Sequence, residues 1–390
     1  MSATRFTHLF AGSSLNRLSV LRSNSAYIAH ALRSPRTRFI ALRHLEPLLT
    51  EGKVAWLSAD TVQQALAAGA LHVFLGVDEA DQAADGEDGA VFSWTRKGGA
   101  VATVKGRSYW AIDLSPGACD DAVLKELDDG FQSSNYKFVG LRGAMASLPW
   151  GEEAAYIAHA RSIIDWNVRN QFCPACGQQT ESTDAGYKRA CPRPAEGAPT
   201  DPKTKKCLSL SPGVNNFQYP RTDPVVIIAV THPTDPNKIL LGRQARFPTG
   251  TYTCVAGFME AGETIEEAAR REVFEETGVK VGAVTYHSSQ PWPFPNSVMI
   301  GCIGQAVTTD IDLVDEELED AKWFTREQAA AAIAAHERAS AAASAGAGAG
   351  GFPVWPEGGG IRVPPPYAIA HQLIKAWLGG FGPRDLEAKI

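Results

Sequence analysis

Residues 257–279 read GFMEAGETIEEAARREVFEETGV, and no other stretch of this 390-residue chain restricts its fold as much. Thr264 and Glu267 have the S/T-x-x-E spacing of a capping box, so a helix is expected to begin there. Gly278 suits its C-terminal cap. At about 100° per residue, Glu272 and Glu276 fall in the sector of Ile265 and Ala269, which should face a core. They are like charges one turn apart, with no sequence-local cation for either. Glu266–Arg270, Glu267–Arg271 and Arg271–Glu275, by contrast, are i,i+4 pairs that read as a salt-laced solvent face. A divalent cation accounts for the stacked carboxylates, because hard cations such as Mg²⁺ take carboxylate and phosphate oxygens together.

The rest of the chain is ordinary in composition. Hydrophobic residues make up 44% and charged residues 21%, a globular balance with room for two or three domains. A formal charge of −6 argues against a generic nucleic-acid or membrane-surface binder, though not against a small anion held by local cations. No apolar run reaches the length of a membrane span. The organisation reads as three parts: 1–165 mixed α/β, 166–218 a cysteine segment, and 219–390 a unit of strands around the 257–279 helix. VVIIAV (Val225 to Val230) is expected to be a buried strand, with further strands at KILLGR, YTCVAGF, VKVGAVTYHS and VMIGCIGQAV. GEEAAYIAHARSIIDWNVRN and YAIAHQLIKAWL read as amphipathic helices, and the Ala-rich run from Ala329 decays into a linker. The first 45 residues lack Asp and Glu, the composition of a mitochondrial presequence. Leu15, Leu18 and Leu21 are nevertheless spaced like the buried side of a folded segment. The chain ends in Ala388-Lys389-Ile390, a near variant of the S-K-L peroxisomal address.

Gly257, Glu263, Arg271-Glu272, Glu275-Glu276 and Gly278, with Val273 and Val279 at the aliphatic positions, fit G-x5-E-x7-R-E-U-x-E-E-x-G-U without departure. On these residues the chain resembles the Nudix hydrolases. The resemblance implies an α/β/α sandwich that hydrolyses a nucleoside diphosphate linked to another group, with Mg²⁺ or Mn²⁺. It assigns catalysis and metal binding to Glu272, Glu275 and Glu276, with the carbonyl of Ala256 beside them. A further metal ligand is expected shortly before Trp323-Phe324, where Glu317 fits best and Glu319 and Asp320 lie close by. Metals at such a site neutralise the pyrophosphate, polarise phosphorus and lower the pKa of water, and a nearby carboxylate takes the proton.

Ten residues past the box, SQPWPFPNS (Ser289 to Ser297) alternates three prolines with Trp292 and Phe294, and reads as a stiff extended segment. It resembles the S-Q-P-W-P-F-P-x-S signature of the NADH pyrophosphatase subfamily. That likeness makes Gln290, Pro291, Trp292, Pro293, Phe294, Pro295, Asn296 and Ser297 candidate contacts to a dinucleotide, with Phe294 able to stack on a base. A packed proline loop is the competing structural reading. The same resemblance, which extends to eukaryotic members, carries substrate contacts to Arg142 in LRGAM, to Tyr219 in YPRTDPVVIIAV and to Ala370 in the last helix. It also implies a homodimer.

Of seven cysteines, Cys173 and Cys176 form a C-x2-C knuckle and Cys191 follows at a ribbon-like spacing. The subfamily carries four zinc thiolates here, and Cys207 is the fourth, displaced by an inserted loop, PRPAEGAPTDPKTKK (192–206). Loop length costs little free energy, so the structural zinc site can still close. A redox C-x2-C with two unrelated cysteines is the competing reading. Cys119, Cys254 and Cys302 read as buried small hydrophobes. Together these resemblances imply hydrolysis of NAD(H) to NMN(H) and AMP, with removal of NAD caps from RNA as the alternative. A binding-only sensor on the same scaffold is disfavoured, since binding alone needs no like-charge pair. The address tripeptide favours a peroxisomal location, the alternatives being cytoplasmic or mitochondrial.

Overall fold

Six successive apolar residues, VVIIAV, are satisfied only in a strand covered on both faces, and they form the middle of Asp223–Thr231. The computed structural model describes residues 7–81, 91–96, 99–148, 150–192, 207, 218–313, 317–344 and 360–382. Val226, Ile228 and Val230 of that strand face Ala268, Ala269 and Val273 of the helix Ile265–Thr277. Ile227 and Ala229 face the opposite way, onto Leu373, Ile374 and Trp377 of the helix Ile369–Leu378 and onto Ala329, Ala332 and Ile333 of the helix Arg326–Ser344. Each fully buried side chain of this kind contributes roughly 1.5–3 kcal/mol. The result is the α/β/α sandwich.

Its six-stranded sheet runs Val281–Trp292, Ser297–Ala306, Asp223–Thr231, Lys238–Arg243, Asp320–Thr325, with Val255–Phe258 also paired to Asp223–Thr231. Asp223–Thr231 is parallel to Ser297–Ala306, with Ile227 opposite Gly301, and antiparallel to its other neighbours. Each of the five expected strand segments contains a strand, although YTCVAGF is one only from Val255 and VKVGAVTYHS only from Val281, and the Ala-rich helix begins three residues earlier than the Ala329 expected for it, at Arg326.

By contact the chain divides into two units: Met1–Ala11, Thr222–Trp292 and Ser297–Ile390 in one, Gly12–Arg221 and Pro293–Asn296 in the other. Three parts were expected; the cysteine segment groups with the part before it, to which a buried polar network ties it. The Asn167 amide donates to Ile163 and Gly186 carbonyls and its oxygen accepts from Ser182, while the Arg189 guanidinium donates to the Thr180 hydroxyl and carbonyl. Asn167 belongs to the helix Glu152–Arg169, so the hairpin of Glu181–Thr183 and Lys188–Ala190 is tied to it. Elsewhere in this unit Arg38–Arg43 lies parallel to Arg107–Asp113 and antiparallel to Glu46–Thr50, with His72–Asp78 on the far side. Phe39, Phe74 and Trp110 pack there against Val62, Ala65, Leu124 and Phe131 of two helices.

From residue 7 onward the basic N-terminal stretch is folded: of the three leucines whose spacing suggested a buried side, Leu15 and Leu21 are buried and Leu18 is half-buried. Residues 7–11 group with the sandwich, where Leu9 and Phe10 are buried and the His8 ring meets the Ser288 hydroxyl at 2.8 Å. Among the described residues no helix is long and apolar enough to cross a membrane. The tripeptide 388–390 and the loop 193–206 lie outside the described residues.

Candidate active site

The carboxylate helix starts and stops where its sequence says. Thr264 and Glu267 make both bonds of a capping box, and Gly278 ends it at φ 68°, a left-handed conformation suited to glycine. Its buried face is Ala268, Ala269, Val273, Thr277 and Glu276, the last only 2% exposed. Arg271 departs from expectation. Instead of lying on a solvent face, its guanidinium directs five N–H donors at five acceptors: Nε and Nη2 to the two oxygens of Glu263 (2.6 and 2.8 Å), Nη2 to the Phe258 carbonyl (2.8 Å), and Nη1 to Glu272 (2.8 Å) and Glu275 (2.9 Å). Glu272 thus does have a cation beside it, contrary to expectation. Adjacent helical residues do not face each other, but a long arginine can fold back across the turn. Arg270 donates to the Gly282 carbonyl and Glu267 serves the cap, so of the three i,i+4 pairs only Arg271–Glu275 forms as an ion pair among the described residues.

The electrostatics follow. Hydrogen bonds from Arg271 and from the Glu260 N–H hold the Glu263 carboxyl down to about 2, and the Arg271 guanidinium is raised above its usual range, chiefly by Glu263. The Glu272 carboxyl moves the other way: burial raises it, Arg271 opposes, and the charges of Glu275 and Glu317 raise it further. Among the described acids of its segment, Glu317 accepts from the Gln244 amide at 3.4 Å. Glu319 pairs with Arg243 at 2.9 Å, and Asp320 accepts from Tyr252 and from Lys322. Ala256 and Gly257 lie under this edge on the strand Val255–Phe258. A Cβ built on Gly257 would overlap the Glu272 carboxylate, so only glycine lets that side chain settle there. Three carboxylates share the Arg271 guanidinium, and Glu276 is buried on the same helix; this excess of negative charge and of oxygen ligands suits a divalent cation in donor chemistry.

SQPWPFPNS is a hairpin and not the extended segment its prolines suggest. Val281–Trp292 ends in it, residues 293–296 turn, and Ser297–Ala306 leaves antiparallel, with Trp292 opposite Ser297 and Pro291 opposite Val298. Gln290 is corrected as a side-chain contact. It is fully buried, donating to the Leu9 and Tyr367 carbonyls at 3.2 and 2.7 Å and accepting from the Ile369 N–H at 2.8 Å. Its amide is committed to tying the chain's start and its last helix to one strand. Ser297 is buried, Trp292 half-buried, and Ala370 is buried in the last helix. Within the other unit, the Arg142 guanidinium lies 4.1 Å over the Phe294 ring, Asn296 donates to the Arg221 carbonyl, and Tyr219 is exposed.

Residues 221–344 match the model of the NUDIX domain, and residues 36–166 match the NADH pyrophosphatase-like rudimentary NUDIX domain. Across 394 residues the chain is 36% identical to the human protein named NAD-capped RNA hydrolase NUDT12, spanning 95% of this chain and 73% of that one. The chain belongs to the Nudix hydrolase family, in its NADH pyrophosphatase subfamily. An NAD-capped RNA hydrolase of Schizosaccharomyces pombe is 36% identical over 84% of this chain and 85% of its own. The human mitochondrial NAD(P)H pyrophosphatase NUDT13 is 35% identical over 62% of this chain and 59% of its own.

Outside the Nudix box, the Cys173, Cys176, Cys191 and Cys207 sulfurs all lie within 4.8 Å of one another, and three of the six pairs, Cys173–Cys207, Cys176–Cys191 and Cys191–Cys207, are 3.5–3.7 Å apart. A tetrahedron of thiolates about 2.3 Å from a central zinc has edges of about 3.8 Å, so the spacing fits that ion. Three of the four cysteines are buried, and all seven in the chain are free of disulfides. Cys254 and Cys302 are buried as expected, with burial pushing their thiols up to about 12 and about 11, whereas Cys119 is half-buried. Sequence reasoning missed three contributions to the Nudix unit: Arg271 looked like a surface partner, Gly257 like a motif letter, and the Phe258 carbonyl, which accepts from Arg271, left no signal because a backbone acceptor is the same for every residue type.

Proposed function

We propose that this chain is a metal-dependent diphosphatase that cleaves the pyrophosphate of NAD(H) into NMN(H) and AMP, and that the same residues remove NAD caps from RNA. The observation that carries the reading is the acidic edge of Ile265–Thr277, where Glu272 and Glu275 are bonded to Arg271 and Glu276 is buried on the same helix. Mg²⁺ or Mn²⁺, when bound, supplies neutralisation of the diphosphate and a water of lowered pKa. The chain's own part is positional. Arg271 and Gly257 fix the carboxylates before substrate arrives, so no reorganisation is needed as charge develops at phosphorus. A carboxylate in this group receives the proton of the attacking water.

The cap reading is favoured by the names of the human and fission-yeast relatives. Also within this proposal are substrate contacts at Arg142, Tyr219, the 291–297 hairpin and Ala370, structural zinc on the four cysteines, a homodimer, and a peroxisomal address in residues 388–390. The experiment is a side-by-side kcat/KM for NADH, NAD, NADPH and NAD-capped RNA with Mg²⁺ or Mn²⁺. AMP and NMNH should appear from NADH, and monophosphorylated RNA from the capped substrate. No metal-dependent cleavage of any of them would end the reading.

A further inference from the structure

The hairpin turn Pro293-Phe294-Pro295-Asn296 has a deficit written into its sequence. Two of its four residues lack an N–H, so the turn cannot supply the donors its own carbonyls need. The missing donor comes from the helix Glu152–Arg169. Arg161 directs Nη1 at the Pro293 carbonyl and, at 3.4 Å, at the Pro295 carbonyl, so it grips the backbone on both sides of Phe294. The same guanidinium lies 5.1 Å from the centre of the Phe294 ring, while Arg142 lies 4.1 Å over it. Two cations on one phenyl ring repel each other, and each is attracted to the ring's electron-rich face. Neither Arg142 nor Arg161 has a carboxylate within ion-pair distance among the described residues. The sequence offers Asp165 at i+4 to Arg161, but that carboxylate accepts from Arg169 at 2.9 Å.

We propose that Arg161 is a positioning residue for substrate recognition: by holding the Pro293 and Pro295 carbonyls it fixes the Phe294 ring against Arg142, and the ring and guanidinium are presented to an aromatic, phosphate-bearing ligand as one preset pair. This rests on the reading that the hairpin contacts the dinucleotide. Preset geometry lowers the ordering cost of binding, and so acts on KM more than on kcat.

The test is a double-mutant cycle in the full-length protein with Arg161→Ala, Phe294→Leu and the double variant, assayed on NADH. Arg161→Ala should raise KM about tenfold with kcat changed less than about threefold, and Arg161→Lys, which keeps a cationic donor nitrogen, should recover most of the loss. Because Arg161 acts through Phe294, its effect should largely vanish in the Phe294→Leu background. Additive effects, or an unchanged KM in a folded Arg161→Ala protein, would overturn the proposal. If Arg161→Ala does not fold, the cycle is run with Arg161→Lys, where a twofold or greater KM effect lost in Phe294→Leu supports it and additivity overturns it. Wild-type protein that leaves NADH intact would instead overturn the functional reading. The cycle is then read with whichever dinucleotide pyrophosphate the protein cleaves, so the two failures stay separate.

Discussion

Replacing Gly257 by alanine should disable the carboxylate edge while leaving the sandwich standing. Gly257 is paired with Val226 in the sheet and does not have a positive φ, so the backbone accepts alanine. The added methyl, however, overlaps both oxygens and the carboxyl carbon of Glu272. Ordinary contact is about 3.5 Å, so the carboxylate must withdraw by about 1 Å or more. That would break its 2.8 Å bond to Arg271. A misplacement of this size costs on the order of 100-fold in rate, and loss of one preorganised electrostatic group reaches 100- to 1,000-fold, about 3–4 kcal/mol. The expected outcome is a kcat lowered 100-fold or more, weaker Mn²⁺ binding by titration calorimetry, and a Tm within about 3 °C of wild type. Glu272→Gln supplies the control. If the methyl acts only by displacing Glu272, the double variant should be no slower than Glu272→Gln alone. A Gly257→Ala protein with wild-type kcat and Mn²⁺ affinity would refute the argument, because the position of Glu272 would then not matter.

Glu276→Gln should retain the fold and lose about 100- to 1,000-fold in kcat, and wild-type turnover by this variant with metal present would remove Glu276 from the mechanism. Purified protein should hold one zinc per chain, and Cys207→Ser should lose it along with thermal stability; zinc unaffected by that change would exclude a four-thiolate site. Burial pushes His8 and His371 down to about 4 and His159 to about 3, with lesser contributions from neighbouring cations and His287. These folded values lie below the ordinary 6.5, so the stability they confer is complete above pH 6.5 and is lost as pH falls towards about 4. At pH 5 each should cost roughly 1–2 kcal/mol. The Tm should fall clearly between pH 7.5 and pH 5, and an equal or higher Tm at pH 5 would contradict the burial of these rings.

The sequence by itself determined the elements and the chemistry. VVIIAV could only be a strand covered on both sides, the Thr264–Glu267 spacing could only open a helix, and two stacked carboxylates on an apolar stripe asked for a cation. The cysteine cluster was legible too, because C-x2-C spacing is local and a long loop costs little. Tertiary structure decided which partners those residues take. Local spacing paired Arg271 with Glu267 and Glu275, but the fold brings in Glu263, the Phe258 carbonyl and Glu272, whose alignment depends on how a loop and a strand meet the helix. Gln290 had the look of a ligand contact until residues 281 and 77 positions away in sequence, Leu9 and Tyr367, came within hydrogen-bond reach of its amide. The prolines of 291–295 signalled stiffness but not direction, and a hairpin appears because Trp292 and Ser297 pair across it. In each case the deciding contact is long-range: residue type sets what a side chain can bond, and only the packed chain sets which acceptor arrives.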